Sequence, residues 1–366
     1  MERGIPQQGI GQKKEIACKY FEDLYKKEVN EDTIRSYLGE TKDKVIGDEM
    51  KEILVKDITW SELKIAIENQ KNNKTLGTDG IPGELYKAIG EQIGPLMVEI
   101  YNEVLLASKI SDSWTEVLIS LIRKEDSDLR FIQNYRPISL LNTDYTIFAT
   151  IIANRLKRIL NQYIHKDQNG FLPNRQIRNN LRIVLNVLEY YEAHPEKQIA
   201  LVFLDAQKAF DNLNWQFLIQ QIYNMNLGTK FENIVTTIYT SQKANIIING
   251  CTKSIKIEKG VRQGCSLSTL LFILSLETLL TQIRQNSRIK GLKVKKEEYK
   301  VQSFADNMVF FIEDPIETGQ ELLNEIDQSG KVAGLRINRK KTKLIIKILT
   351  ENRIGKGNGI TSGKED

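Results

Sequence analysis

The chain is 366 residues long, 41% apolar and 27% charged, with a formal net charge of +5. That length supplies one large domain or two to three subdomains with buried cores, in an ordinary globular composition. The charge is compatible with nucleic acid without demanding it. Cys18, Cys251 and Cys265 are too widely spaced for a zinc knuckle and too few for a disulfide framework. His165 and His194 are the only histidines, which argues against a histidine-based zinc site or a Ser-His-Asp triad. A reducing, intracellular compartment is the default. Residues 1–12 lack the pattern of a signal peptide. No apolar run reaches the ~18 residues of a membrane span. The closest, 267–280, is interrupted by Ser275 and Glu277.

In chain order, residues 1–14 read as a disordered lead and 15–28 as an amphipathic helix through Ile16, Tyr20, Phe21, Leu24 and Tyr25. Residues 29–57 are charged and weakly periodic, and we expect a linker. A helix starts near Thr59; Ser61 and Lys64 do not form a capping box. A Gly-rich loop, Gly77-Thr78-Asp79-Gly80, precedes Pro82. Helices are expected at 93–108, 143–164 and 179–192, with a strand at 117–122. The continuous apolar run 199–204 predicts a buried strand that ends directly in Asp205. Helices follow at 214–226 and 230–241. Two strand-like runs around Asn249-Gly250 predict a hairpin. A helix at 268–286, strands at 291–295, 301–304 and 308–312, a helix at 316–332 and a strand at 344–349 complete the pattern. The tail 355–366 is Gly- and charge-rich and reads as disordered. Strands and helices without a strict βαβ rhythm predict an α+β fold with an antiparallel sheet.

Two acidic positions stand out. Asp205 ends a buried strand, and Asp306 lies at the tip of an aromatic-rich hairpin. A carboxylate at the mouth of an apolar strand is costly unless solvated, paired or bound to a cation. Two such groups brought together repel, and a divalent ion relieves the repulsion. The arrangement suits two-metal phosphoryl transfer, and hard oxygen ligands favour Mg²⁺. Taken singly, Asp306-Asn307 also reads as a turn and Asp205 as a cap. The loop 260–268 feeds a helix whose N-terminus could face a phosphate, and Gln263 could bond a template or nucleotide; an ordinary N-cap by Ser266 or Ser268 is the plainer reading. Basic residues recur at Arg123-Lys124, Arg136, Arg175, Arg178, Lys340-Lys341 and Lys343, and such runs are commonly solvated faces.

The order of these pieces changes their weight. FLDAQKAFD (203–211), GVRQGCSLS (260–268), FADN (304–307) and GLRINRKKTK (334–343) together resemble the reverse transcriptases of LINE-type non-LTR retrotransposons. NKTLGTDG (73–80), NYRPISL (134–140) and DQNGFLPNR (167–175) agree, so the resemblance runs over about 57–348. It implies a right-hand polymerase fold, with a lead and linker at 1–56, fingers at 57–198, a palm at 199–349 and a tail at 350–366. It implies metal binding by Asp205 and Asp306 with the Ala206 carbonyl, for two Mg²⁺ ions that Mn²⁺ can replace. Phe210, five residues after Asp205, would be the steric gate that rejects a ribose 2′-OH by clash. Gln263 and Gly264 would lie against the template–nucleotide pair, Lys124 and Arg136 on the triphosphate, and Lys341 near the pyrophosphate as a general acid. The expected partners are an RNA template, a DNA primer and deoxynucleoside triphosphates, with no membrane. Cytoplasm and nucleus are both expected from the resemblance.

The chain also departs from the family pattern. Asn307 stands where the second aspartate of the turn is usual, keeping a carbonyl oxygen and losing a charge, which lowers metal affinity. Leu76, Arg123, Ser266 and Thr269 stand where the family has proline, each a loss of about 0.4–1 kcal/mol through the unfolded chain. An endonuclease domain is expected ahead of residue 1 in the family, and the thumb is expected to be largely absent after residue 349. Two readings remain open: an RNA-directed DNA polymerase domain, or a catalytically inactive remnant that at most binds nucleic acid.

Overall fold

The computed structural model describes residues 9–27, 31–39, 45–338, 341–347 and 361–362. In chain order the elements are α1 (Ile10–Tyr25), α2 (Glu31–Gly39), α3 (Asp48–Val55), α4 (Trp60–Glu68), α5 (Gly83–Ala107), α6 (Asp112–Thr115), β1 (Glu116–Arg123), β2 (Tyr135–Leu140), α7 (Thr143–Tyr163) and α8 (Ile177–Glu192). Then come β3 (Ile199–Gln207), α9 (Ala209–Asn212), α10 (Trp215–Asn224), α11 (Thr229–Thr240), β4 (Lys243–Ile246), β5 (Ile255–Lys256) and α12 (Ser266–Gln285). The chain continues through β6 (Leu292–Val294), β7 (Glu297–Tyr299), β8 (Val301–Phe304), β9 (Asn307–Ile312), α13 (Pro315–Ala333), β10 (Arg336–Ile337), β11 (Lys343–Lys347) and β12 (Thr361–Ser362). Contacts divide it into two compact units that interleave along the sequence.

The first unit comprises Met1–Glu31, Lys44–Ile159 and Phe210–Phe272. Its sheet has the order β2-β1-β4-β5. The β1–β4 pair is parallel, against the antiparallel expectation, and the long segment between those strands allows the crossover that a parallel pair needs. Trp114, Tyr101, Phe148 and Tyr145 form a ring cluster with centroids 5.2–6.0 Å apart. The Trp114 indole donates to the Asp144 carboxylate at 2.8 Å, which satisfies its buried N–H.

The second unit comprises Asp32–Asp43, Leu160–Ala209 and Ile273–Asp366. Its sheet runs β12-β11-β3-β9-β8, with β10 also paired to β3, and every pairing is antiparallel. β3 lies between β11 and β9, and Ile199, Ala200, Leu201 and Leu204 of its apolar run are buried, with Val202 and Phe203 half-buried. Val184, Val187 and Tyr191 of α8 close one face of this sheet against Ile199, Leu201 and Phe311.

Several expectations change. The stretch read as a linker contains α2 and α3, short helices whose Ile34, Leu38 and Leu54 are buried. Helix α5 begins ten residues before the predicted start and runs through Pro95. A Cβ on the preceding Gly94 would lie 2.1 Å from the Trp60 ring, so this glycine within α5 is a packing seat for α4. Helix α4 does carry a capping box, built by Thr59 and Glu62 and not by Ser61 and Lys64. Strands β2, β7, β10 and β12 add to the predicted set. By length and composition α12 could cross a membrane, but it is mostly buried inside the protein. Most of residues 1–14 from Ile10 onward are helical, whereas 1–8 lie outside the described residues. So does the predicted tail, except for Thr361–Ser362, which pair with β11.

One polar contact in the first unit carries unusual weight. Arg155 of α7 is 2% exposed and donates to both Glu62 oxygens and to the carbonyls of Leu54, Lys56 and Asp57. Burial works to raise the Glu62 carboxyl, but the hydrogen bonds from Arg155 and Thr59 outweigh it and hold the group at about 2. Because the folded value lies below the ordinary 4.5, this stability is present above pH 4.5 and is lost as pH falls toward 2. Urea unfolding should therefore show wild type losing more stability than Glu62→Gln between pH 5 and 3. At pH 7 the variant should be destabilised by about 3 kcal/mol, the low end for breaking a buried ion pair because Glu62 is partly exposed.

Candidate active site

In the second unit the geometry starts from β3. Its register against β9 places Asp205 directly opposite Asn307, with Leu204 opposite Met308. Phe304 pairs with Asn307, so Ala305 and Asp306 form a two-residue hairpin loop between β8 and β9. Ala305 has a φ of 56°, a conformation that side chains disfavour and that a tight hairpin requires. Asp205 and Asp306 are half-buried and Asn307 is exposed, so both carboxylates reach solvent at one end of the sheet.

The other flank of Asp205 is held by the segment after β10. Asn338 donates its backbone N–H to the Asp205 carbonyl and its side-chain amide to Asp205 Oδ2, both at 2.9 Å. The Asn338 carbonyl accepts from the N–H groups of Lys341 and Thr342, a tight turn that brings the Lys341 ammonium 3.7 Å from Asp205 Oδ2. Lys341 is 69% exposed and Asp205 26%, so the ion pair is a weak one. Ala206 is buried, opposite Ile337 of β10. The second unit contains Asp205, Ala206, Asp306, Asn307 and Lys341, and the first contains Phe210, Gln263 and Gly264; sequence reasoning does not single out Asn338. Its signal is present in the run Gly334-Leu335-Arg336-Ile337-Asn338, but nothing local says which carboxylate that amide meets.

In the first unit the loop 260–264 is pinned from two sides. The Gly260 and Val261 N–H groups donate to the Leu213 and Phe210 carbonyls at 2.7 Å, and the Ser139 N–H donates to the Gln263 carbonyl at 3.0 Å. Gly260 has a φ of 89°, and a Cβ there would lie 2.6 Å from the Asp211 carbonyl oxygen. The Phe210 ring stacks on Phe272 at 4.6 Å. The Gln263 amide donates to Asp211 Oδ1 at 2.9 Å. Asp211 is buried and also accepts from the Tyr25 hydroxyl; burial first, and the Asp211 charge second, push that phenol well above its ordinary value. Sequence reasoning does not single out Tyr25 or Asp211, because α1 lies far from this loop along the chain. Gly264 is exposed. Arg136 is the register partner of Ile122, and Lys124 directly follows β1, its N–H donating to the Asn134 carbonyl at 2.8 Å. The Lys124 ammonium donates to the Gln133 carbonyl at 3.0 Å. Helix α12 starts at Ser266 itself, and the Ser268 hydroxyl meets Tyr239 at 2.8 Å, so neither serine is the expected cap.

The donor set suits a hard divalent cation. Asp205 already attracts an exposed ammonium that a metal ion could displace, and its Oδ1 takes no hydrogen bond from the described residues. Among the described residues no cluster of three or more His, Cys, Asp or Glu occurs. Few protein ligands fit an ion that keeps waters and binds substrate phosphates.

An antiparallel sheet with a carboxylate at the end of its central strand and another on the adjacent hairpin loop is the palm of a right-hand polymerase. Residues 122–355 match the family model described as reverse transcriptase (RNA-dependent DNA polymerase). The chain is 33% identical over 75% of its length to the transposon TX1 uncharacterized 149 kDa protein of Xenopus laevis, covering 21% of that protein. It is 27% identical over 65% of its length to the Pol polyprotein from the type-1 retrotransposable element R2 of Popillia japonica, covering 33% of it. A solved structure of apo telomerase from Candida tropicalis, truncated from its C-terminal domain, aligns with a TM-score of 0.48 at 13% identity, over 74% of this chain and 57% of that one. The chain belongs to the reverse transcriptase family, as a domain of the non-LTR retrotransposon type. It spans about a fifth to a third of the curated relatives' length. Members of this family use divalent metal ions.

Asn338→Ala should remove the side-chain donor from Asp205 while leaving the backbone bond. We expect a loss of about 1 kcal/mol in urea unfolding, small because the carboxylate is partly exposed.

Proposed function

We propose that this domain extends a DNA primer on an RNA template with deoxynucleoside triphosphates, using two Mg²⁺ ions that Mn²⁺ can replace. The observation that supports this best is the register of β3 against β9, with Asp205 opposite Asn307 and Asp306 on the adjoining loop. When bound, the ions activate the primer 3′-oxygen and steady the departing pyrophosphate. Asp205 and Asp306, with the Ala206 carbonyl, are the proposed ligands. Asn307 contributes a neutral oxygen at most. Lys341, already drawn to Asp205, is the proposed donor of a proton to pyrophosphate. Phe210, held flat by Phe272, is the proposed barrier to a 2′-OH, and Gln263 with Gly264 the surface for the template–nucleotide pair. Lys124, directly after β1, and Arg136 of β2 are the proposed triphosphate contacts.

A second reading is favoured by Asn307: a folded domain that binds nucleic acid and incorporates nothing. Primer extension on RNA, in Mg²⁺ and in Mn²⁺, separates the two. On the polymerase reading Asp205→Ala should lower extension at least ~100-fold, the loss of several kcal/mol of metal-borne stabilisation. Asn307→Asp should raise extension and lower the Mg²⁺ concentration required. Phe210→Ala should admit ribonucleotides. Salt-sensitive RNA binding with no extension by wild type or by Asn307→Asp would establish the second reading instead.

A further inference from the structure

The loop that carries Asp306 is supported from below by residues 168–170. Gln168 is 0% exposed, and both ends of its amide meet one residue's peptide groups. Its Oε1 accepts from the Ala305 N–H at 3.1 Å and from the Gly170 N–H at 2.8 Å. Its Nε2 donates to Ser303 Oγ at 2.9 Å and, more weakly, to the Ala305 carbonyl at 3.4 Å. The Ser303 hydroxyl donates to that same carbonyl at 3.1 Å. Ala305 is the positive-φ residue of the hairpin and is buried, so without Gln168 its N–H and carbonyl would lose these partners.

The fit is close on every side. A Cβ on Gly170 would lie 2.4 Å from the Ala305 nitrogen, so only glycine lets this segment approach. Segment 167–169 runs beside Ser303 as a one-bridge parallel strand, with Ser303 N–H to the Asp167 carbonyl at 2.8 Å and Asn169 N–H to the Ser303 carbonyl at 2.9 Å. Asn180 of α8 donates to the carbonyls of Asp167 and Ser303, and Arg284 holds both Asp167 oxygens at 2.7 Å. The clamp is thus anchored at its far end.

We infer that Gln168, with Gly170 and Ser303, is a positioning device that imposes the positive-φ conformation on Ala305 and thereby sets where Asp306 presents its carboxylate. A glutamine side chain suits this role because its neutral amide offers a donor and an acceptor at once, one for the Ala305 carbonyl and one for its N–H. This rests on the polymerase reading for its consequence in catalysis, but not for the clamp itself.

Two readouts keep these apart. Hydrogen exchange by mass spectrometry reads the clamp directly. In Gln168→Leu the peptide containing Ala305 should exchange ~10-fold faster or more, while peptides of the β3–β9 ladder stay as in wild type. Primer extension reads the consequence: the Mg²⁺ midpoint should rise and the turnover fall by up to ~100-fold, the effect of moving a ligand about 1 Å, with KM for the RNA template unchanged. Gln168→Glu adds a pH test that a general loss of packing would not reproduce. Protonated, the carboxyl can still donate and accept; ionised, it cannot donate. Its extension should approach wild type at pH 6 and fall toward the leucine variant at pH 8.5, a limb absent from wild type, while the Ala305 N–H, which the carboxylate still accepts, stays protected. Should Gln168→Leu fail to fold, Ser303→Ala carries the exchange comparison and Gln168→Glu the extension comparison. Unchanged Ala305 exchange in a folded Gln168→Leu or Ser303→Ala variant, or a Gln168→Glu variant without that pH limb in extension, overturns the inference. No extension by wild type sinks the polymerase reading and leaves the exchange result to decide the clamp.

Discussion

The antiparallel pairing of β3 with β9 is the constraint on which the second unit depends. A strand flanked on both sides has little freedom of register, because a slip of one residue would move Asp205 off Asn307 and exchange every side chain of β3 between the two faces of the sheet. Register therefore does more than bury apolar surface. It delivers one carboxylate to the end of the ladder and sets it against the first residue of β9. The hairpin that begins β9 then needs only two residues to present the second carboxylate.

The polar groups are handled in the same way in both units. Three candidate side chains have a partner from a distant segment of the chain: Asn338 for Asp205, Asp211 for Gln263, Phe272 for Phe210. Partners drawn from separate elements restrict a side chain to one rotamer without filling its reactive edge. Two arginines, Arg155 buried and Arg284 half-buried, follow a different logic. Arg155 and Arg284 bond carboxylates and carbonyls that bind helices or loops together, and their charges are consumed in doing so. They are structural cations, unlike the exposed Lys341 and Arg136.

Asn307 is the point where chemistry and architecture separate. As a ladder residue it is a sound choice: an amide opposite Asp205 avoids placing a second negative charge across the strand pair, where like charges destabilise. As a metal ligand it is a poorer one, because a neutral oxygen draws a divalent ion less strongly. The apo fold is therefore relieved of repulsion by the same substitution that weakens the ion's hold.

Much of the fold is legible in the amino-acid order, and the physical reason is local. The apolar run of β3, the Asn249-Gly250 turn with both residues at positive φ, and the amphipathic stripes of α7, α8 and α13 each state their own conformation within a few residues. The collinear order of short motifs likewise determined the family. What tertiary structure alone decided were the partnerships made across long separations. Residues 133 apart join Asp205 to Asn338, and 137 apart join Gln168 to Ala305. Tyr25 on the first helix meets Asp211, and Gly94 gives way to the Trp60 ring. The two-residue β10 belongs to the same class, since it acquires its conformation from β3, the distant strand that completes its hydrogen bonds.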